Sequence, residues 1–327
     1  MALSEDEIKS ICKDLLGSQP DTISFPGGTS RESVRVEIAG RGLIITRRKN
    51  LQRAKLEAGV LRILNQRNAP VPHLIAFKDN YLIQQDVGRN RLTQAMNASS
   101  NQTVLALLDS ALGSLHSIHQ IGRDNKPLQS TVTLGNKSEW LDTFVRSAER
   151  LGVQIGQPAP SLQYDKLTAL LKVEQPRFIK WDARPGNAVV RENNKVIWID
   201  WEHCGQRHPL DDAAWLLTDE YTPHLEEAEA DLLAKICDSF GNGLSKEQAQ
   251  EYLYVYGTLH SSIRLAMILR YHARSGWRDY NQCLELDTVG VVRELALRVS
   301  KRAACWSKKS QLTEPLSPWF EGLLATL

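Results

Sequence analysis

Cysteine and methionine are scarce in this chain of 327 residues, which holds five of the first and three of the second. Cys12, Cys204, Cys237, Cys283 and Cys305 are scattered, with no Cys-x-x-Cys pair and no Cys/His cluster. That spacing argues against a zinc site and fits reduced thiols in a cytoplasmic protein. No apolar run approaches the ~18 residues that a membrane-spanning helix needs. Ser4-Glu5-Asp6-Glu7 reads as a cap opening an amphipathic helix rather than a cationic apolar leader, so the expected location is the cytoplasm, with no membrane partner. Net charge is only +2, and there is neither an internal repeat nor a low-complexity tract. Charge is uneven along the chain, however: ten Arg or Lys stand against three Glu between Arg31 and Arg67. Base-stacking aromatics are missing there, which argues against nucleic acid and leaves a polyphosphate as the fitting anion.

Chemistry is concentrated between residues 178 and 215. Phe-Ile-Lys-Trp-Asp-Ala-Arg-Pro-Gly-Asn-Ala-Val-Val is followed by a polar turn and then Val-Ile-Trp-Ile-Asp-Trp-Glu. Pro185 and Gly186 mark a tight turn, Glu192 to Lys195 a hairpin turn, and Val196 to Ile199 a buried strand. Asp182 and Asn187 then share a loop, and Asp200 follows the second strand. Asp and Asn flanking Pro-Gly are common turn residues. With Asp200 behind them they make the set that phosphoryl transfer requires. One carboxylate orients a hydroxyl and takes its proton; an amide and a second carboxylate hold magnesium through oxygen ligands.

This segment resembles the catalytic and metal-binding region of the aminoglycoside phosphotransferase and choline kinase family, which has the protein-kinase-like fold. The family string is His-Gly-Asp, two variable residues, Pro-Gly-Asn, then a strand ending Ile-Asp-Trp-Glu. Asp182, Pro185, Gly186, Asn187, Asp200, Trp201 and Glu202 match it. Pro209, Asp212 and Ala214 resemble a later segment whose second Asp is structural, although Arg207 and His208 replace its Gly and Asp. Lys180 stands for the family's His and Trp181 for its Gly. A lysine there is expected either to brace the loop or to depress the Asp182 pKa.

The resemblance implies an α+β bilobal fold, with a small β-rich N-terminal lobe over residues 1–88 and a large, mostly helical C-terminal lobe over 89–327. It implies ATP and Mg2+ as cofactors, Asp182 as base, and Asn187 and Asp200 as metal ligands. Gly27, Gly28 and Thr29 correspond to the phosphate turn, Arg47 to the cation on the α- and β-phosphates, and Glu57 to its partner. Backbone groups of Gln85 to Val87 correspond to the adenine hinge. His116 is expected to pack a helix. We read Arg184, two residues after Asp182, as reaching the γ-phosphate; the plainer reading is a solvent-facing loop arginine. Gly152 to Pro160 reads as a flexible connection.

The implied activity is transfer of the ATP γ-phosphate to a hydroxyl of a small molecule: an antibiotic, amino alcohol, sugar or related metabolite. The alternative is a nucleotide-binding, pseudokinase-like protein without turnover, suggested by Lys180-Trp181 and the altered Arg207-His208. The acceptor pocket belongs to helices around residues 91–172 and 210–310. Neither the acids Asp219, Glu220, Glu226, Glu227, Glu229 and Asp231 nor the aromatics Tyr252, Tyr254, Tyr256, Tyr271, Trp277 and Tyr280 select an acceptor.

Overall fold

In a computed structural model the chain is described over residues 3–26, 28, 32–135 and 137–326. The first lobe opens with helix α1 (Glu5–Leu16), whose cap Ser4 accepts a hydrogen bond from the Glu7 N–H. Strands β1 (Thr22–Ser24), β2 (Ser33–Ile38) and β3 (Arg41–Arg47) precede helix α2 (Leu51–Gln66), and β4 (Leu74–Lys78) and β5 (Tyr81–Gln85) close a sheet ordered β1-β2-β3-β5-β4. Period-two alternation gives this sheet two unlike faces. Val34, Val36, Leu43, Ile45 and Ile83 join Leu3, Ile8 and Cys12 of the α1 region in one apolar cluster. The opposite face is polar: Ser33, Arg35, Thr46 and Gln84 look into a cleft between the lobes.

The second lobe is mostly helical, as expected of the bilobal α+β class. Its helices are α3 (Leu92–Asn97), α4 (Asn101–Arg123), α5 (Lys126–Gln129), α6 (Ser138–Val145), α7 (Ser147–Ile155) and α8 (Tyr164–Leu171) before the central hairpins. Short strands follow: β6 (Arg177–Ile179), β7 (Ala188–Val190), β8 (Val196–Trp198) and β9 (Gly205–Arg207), paired β6 with β9 and β7 with β8. Helices α9 (Leu210–Thr218), α10 (Ala230–Phe240), α11 (Lys246–Ser275), α12 (Tyr280–Glu285), α13 (Arg293–Ser307) and α14 (Leu316–Thr326) complete it. Trp198 and Trp201 are fully buried beneath the hairpin. The Trp198 indole N–H donates to the Ser114 hydroxyl on α4 (2.8 Å), pinning β8 to that helix.

The stretch 152–160 is not the flexible connection that its glycines suggest. Gly152 lies inside α7, and a Cβ there would approach the Ala159 nitrogen to 2.6 Å. The glycine is what lets the following loop fold back against the helix, and the Gln157 carbonyl accepts from the Trp319 indole at 3.1 Å. Among the described residues no helix is long and apolar enough to cross a membrane.

Candidate active site

The loop carrying Asp182 leaves β6 and is held by one buried carboxylate. Asp212, in the first turn of α9, accepts the backbone N–H groups of Lys180 and Trp181, both at 2.8 Å, and lies 2.8 Å from His119 Nε2. Three partners satisfy an anion that has no solvent exposure. The brace holds a strained backbone: Trp181 and Asp182 have φ of 51° and 74°, and Asp200 has 61°. Non-glycine residues in this region cost on the order of 1 kcal/mol or more each.

Lys180 braces the site, and it does so between loops. Fully buried, its Nζ donates to the Asp200 carbonyl at 2.5 Å and lies 5.2 Å from the centre of the Trp201 ring. The expected fall in the Asp182 pKa is not what the surroundings produce. Burial pushes that carboxyl upward, with Asp200 adding to the rise, and together they outweigh Lys180, Arg184 and His203. Asp200 moves the other way: burial would raise it, but Arg48, then Lys180 and His203, hold it below the usual range. Two neighbouring carboxyls are thus driven apart, one toward proton uptake and one toward permanent charge.

Asn187 Nδ2 donates to Asp182 Oδ2 (2.9 Å) and to the Asp182 carbonyl (3.1 Å), and the Asn187 carbonyl accepts from the Ile199 N–H (2.9 Å). Loop and hairpin are therefore one unit. The Asn187 amide oxygen and the Asp200 oxygen not taken by Arg48 are hard donors that could hold a cation. Magnesium suits such a pair, because it takes one or two protein oxygens and completes its shell with water and phosphate. Among the described residues no cluster of three or more His, Cys, Asp or Glu offers a fuller protein cage.

The arginine that meets Glu57 is Arg48, not Arg47. Arg48 Nε and Nη2 donate to the two Glu57 oxygens (2.7 and 3.0 Å), Nη2 also to Asp200 Oδ1 (2.6 Å), and Nη1 to Glu202 Oε1 (2.8 Å). Arg47 faces the other side of the sheet, donating to Glu7 at 2.8 Å with Glu32 at 3.8 Å. Adjacent residues on a strand point to opposite faces, and the reading was one residue out of step.

Arg184 also departs from both readings. It turns inward, away from the cleft, and its Nε donates to the buried Asp219 at 2.8 Å. The acidic run around Asp219 is largely neutralised within the fold: Glu220 pairs with Arg264 at 2.6 Å and Glu229 with Arg302 at 3.0 Å. Tyr252 and Tyr256 are buried, and the Tyr252 hydroxyl donates to Asp211 at 2.7 Å, so these two rings belong to the core. His116 packs on Phe240 with ring centres 5.7 Å apart.

A cavity of about 400 Å³ lies between the sheet and the hairpin, within the usual range of small-molecule sites. Its ceiling is the polar sheet face. Its floor includes Gly186, Asn187, Val189, Ile199 and Asp200, and its far wall Glu285 to Asp287. Gln85 and Val87 line one end. The Gln85 N–H is taken by the His73 carbonyl (2.8 Å) and the Val87 carbonyl by Arg191 Nη1 (2.8 Å). Gly27 and Thr29 fall outside the described residues; Gly28 has φ 85° and its N–H closes a turn on the Phe25 carbonyl at 3.0 Å.

Sequence reasoning placed the backbone of Asp86 at the hinge but not its side chain, and did not find Arg35 or Asp287 at this cavity. Asp287 comes from a distant helix end and packs so close to Gly186 that a Cβ there would collide with its carboxylate. Nothing local in the sequence signals that contact.

A family model described as "Phosphotransferase enzyme family" matches residues 21–257. No curated protein sequence is a significant match. Similar solved structures include the choline kinase LicA from Streptococcus pneumoniae, with 14% identity and a TM-score of 0.51 over 92% of this chain and 99% of that one. The choline kinase from Cryptosporidium parvum Iowa II has 13% identity and a TM-score of 0.54, over 97% and 100% of the two chains. A thermostable mutant of the aminoglycoside phosphotransferase APH(4)-Ia, in a ternary complex with ADP and hygromycin B, has 13% identity and a TM-score of 0.56, over 93% and 99%. At these identities the likeness is one of fold, and that fold is protein-kinase-like.

Proposed function

Because this chain belongs to the phosphotransferase enzyme family, we propose that it is a small-molecule kinase moving the γ-phosphate of ATP to a hydroxyl group. The observation that carries this is the opposed pair at the foot of the cavity. Asp182 has its proton affinity raised by burial and is hydrogen-bonded to Asn187, while Asp200 is kept ionised by Arg48 and Lys180. Asp182 orients the acceptor hydroxyl and receives its proton; the hydroxyl oxygen bonds to the γ-phosphorus, and the bond to the β–γ bridging oxygen breaks, releasing ADP. Asn187 and Asp200 would hold Mg2+, which would supply neutralisation of phosphate charge. Arg48, fixed by Glu57, supplies the cation nearest the phosphates, the role that Arg47 was expected to have. The Val87 N–H, with no hydrogen-bond partner among the described residues, suits a base acceptor at the hinge.

Two paired measurements test the proposal. Thermal shift with ATP, with and without magnesium, reports binding; ADP release over a panel of aminoglycosides, amino alcohols, sugars and related hydroxylated metabolites reports turnover. Nucleotide binding with acceptor-dependent ADP release that vanishes in Asp182→Asn is the expected result. Binding without turnover on any acceptor would favour the pseudokinase-like alternative. No binding at all would remove the nucleotide reading.

A further inference from the structure

Four arginines line the cavity, Arg35, Arg48, Arg89 and Arg91, and Arg35 is the one carried by a strand of the sheet. Arg35, on the cleft face of β2, is buried to 9% exposure. Its Nε and Nη2 donate to the two oxygens of Asp86 (2.5 and 2.9 Å), and Nη2 also to the Gly88 carbonyl (3.2 Å). Asp86 is in turn fixed by accepting the Gly88 N–H at 3.0 Å. The third nitrogen, Nη1, has no hydrogen-bond partner among the described residues and is shut off from solvent. A buried guanidinium normally spends all its donors, and leaving one unmade is costly. Arg35 lines the cavity, and a small movement of the groups covering Nη1 would let an acceptor on a ligand held there meet it.

We propose that Arg35 is a nucleobase-recognition residue, donating from Nη1 to a ring or carbonyl acceptor of the base. Its position selects the base over the phosphates. Arg35 pairs in register with Ile44, four residues before Arg48, which is about 13 Å along a strand. Both anchors of Arg35, Asp86 and Gly88, belong to the hinge end of the cavity, whereas Arg48, Asn187 and Asp200 mark the phosphate end. The Asp86 clamp sets the guanidinium's orientation before ligand arrives, which lowers the entropy lost on binding.

This inference rests on the nucleotide reading above, and one titration separates the two. Binding of ATP, GTP and inorganic tripolyphosphate, each with magnesium, is measured by calorimetry for the wild-type protein, Arg35→Met and Arg35→Lys. Arg35→Met keeps the apolar stem and should weaken both nucleotides by roughly tenfold or more, the loss of one charge-assisted hydrogen bond. Tripolyphosphate binding should stay within about twofold, which also shows that the variant is folded. Arg35→Lys, which keeps the charge but loses the forked donors, should show the same split and decides the matter if the methionine variant does not fold. Equal weakening of nucleotide and tripolyphosphate, or unchanged nucleotide affinity, overturns the assignment. A wild-type protein that binds no nucleotide overturns the underlying reading instead, and this one with it.

Discussion

Two consecutive arginines make opposite predictions, and substituting each by methionine separates them. Arg48 is 12% exposed and faces Glu57, which is fully buried, together with Asp200 and Glu202. Removing one partner of such a buried pair strands a charge and costs about 3–5 kcal/mol. Unfolding entropy scales at about 2.1 cal/mol/K per residue, or roughly 0.7 kcal/mol/K for a chain of this size, so Arg48→Met should lower Tm by about 4–7 °C. It should also abolish measurable ATP binding, because the cation lost lines the end of the cavity proposed for the phosphates. Arg47 is 20% exposed and paired with Glu7 on the outer face of the sheet. Its loss should cost about 1 kcal/mol or less, a shift of about 1 °C, with ATP affinity unchanged. Differential scanning calorimetry and nucleotide titration on the two variants give four numbers. If Arg47→Met loses nucleotide affinity and Arg48→Met keeps it, the assignment of inner and outer faces is wrong.

Asp182→Asn should lower turnover by ~10²- to 10⁴-fold, the usual worth of a general base, while raising Tm at neutral pH. The sign follows from linkage: burial holds the folded pKa above its unfolded value, so stability is complete below the unfolded pKa and is lost as pH rises through the folded one. The Tm gain of the asparagine variant should therefore shrink as pH falls; a gain independent of pH contradicts the burial argument. Lys180→Met removes a cation that lowers the Asp182 pKa, so the acidic limb of the kcat/KM profile should move to higher pH, and an unmoved limb would show that Lys180 is only a strut. Arg184→Met removes the close partner of Asp219, which is 1% exposed, and leaves it Arg264 at 3.9 Å, so it should cost about 3 kcal/mol in urea unfolding. A folded, equally stable variant that has lost only turnover would restore the γ-phosphate role.

What could be read from the chain and what could not divides by the range of the interaction. The Asp182, Asn187 and Asp200 group was legible because a Pro-Gly turn and a polar hairpin turn dictate, within about twenty residues, which side chains share a loop. Arg48 was harder. A strand alternates faces, but the last residues of β3 carry two arginines in a row, and only packing against α1 on one side and Glu57 on the other tells them apart. Arg184 and Asp287 were beyond local reading altogether. Asp219 is thirty-five residues after Arg184, and Asp287 reaches Gly186 from the far end of α12. An arginine two residues from a candidate catalytic carboxylate carries the same signal whether it serves a phosphate or a buried acid. The deciding quantity is which anion it can reach without solvent between them, and that is set by how α9 packs. By the same logic the acidic run around Asp219 reads as a cationic-substrate site on paper and as internal neutralisation in the fold, since its anions meet Arg184, Arg264 and Arg302 before any ligand arrives. Acceptor specificity must then come from groups with no such partner, which charge counts along a sequence do not distinguish.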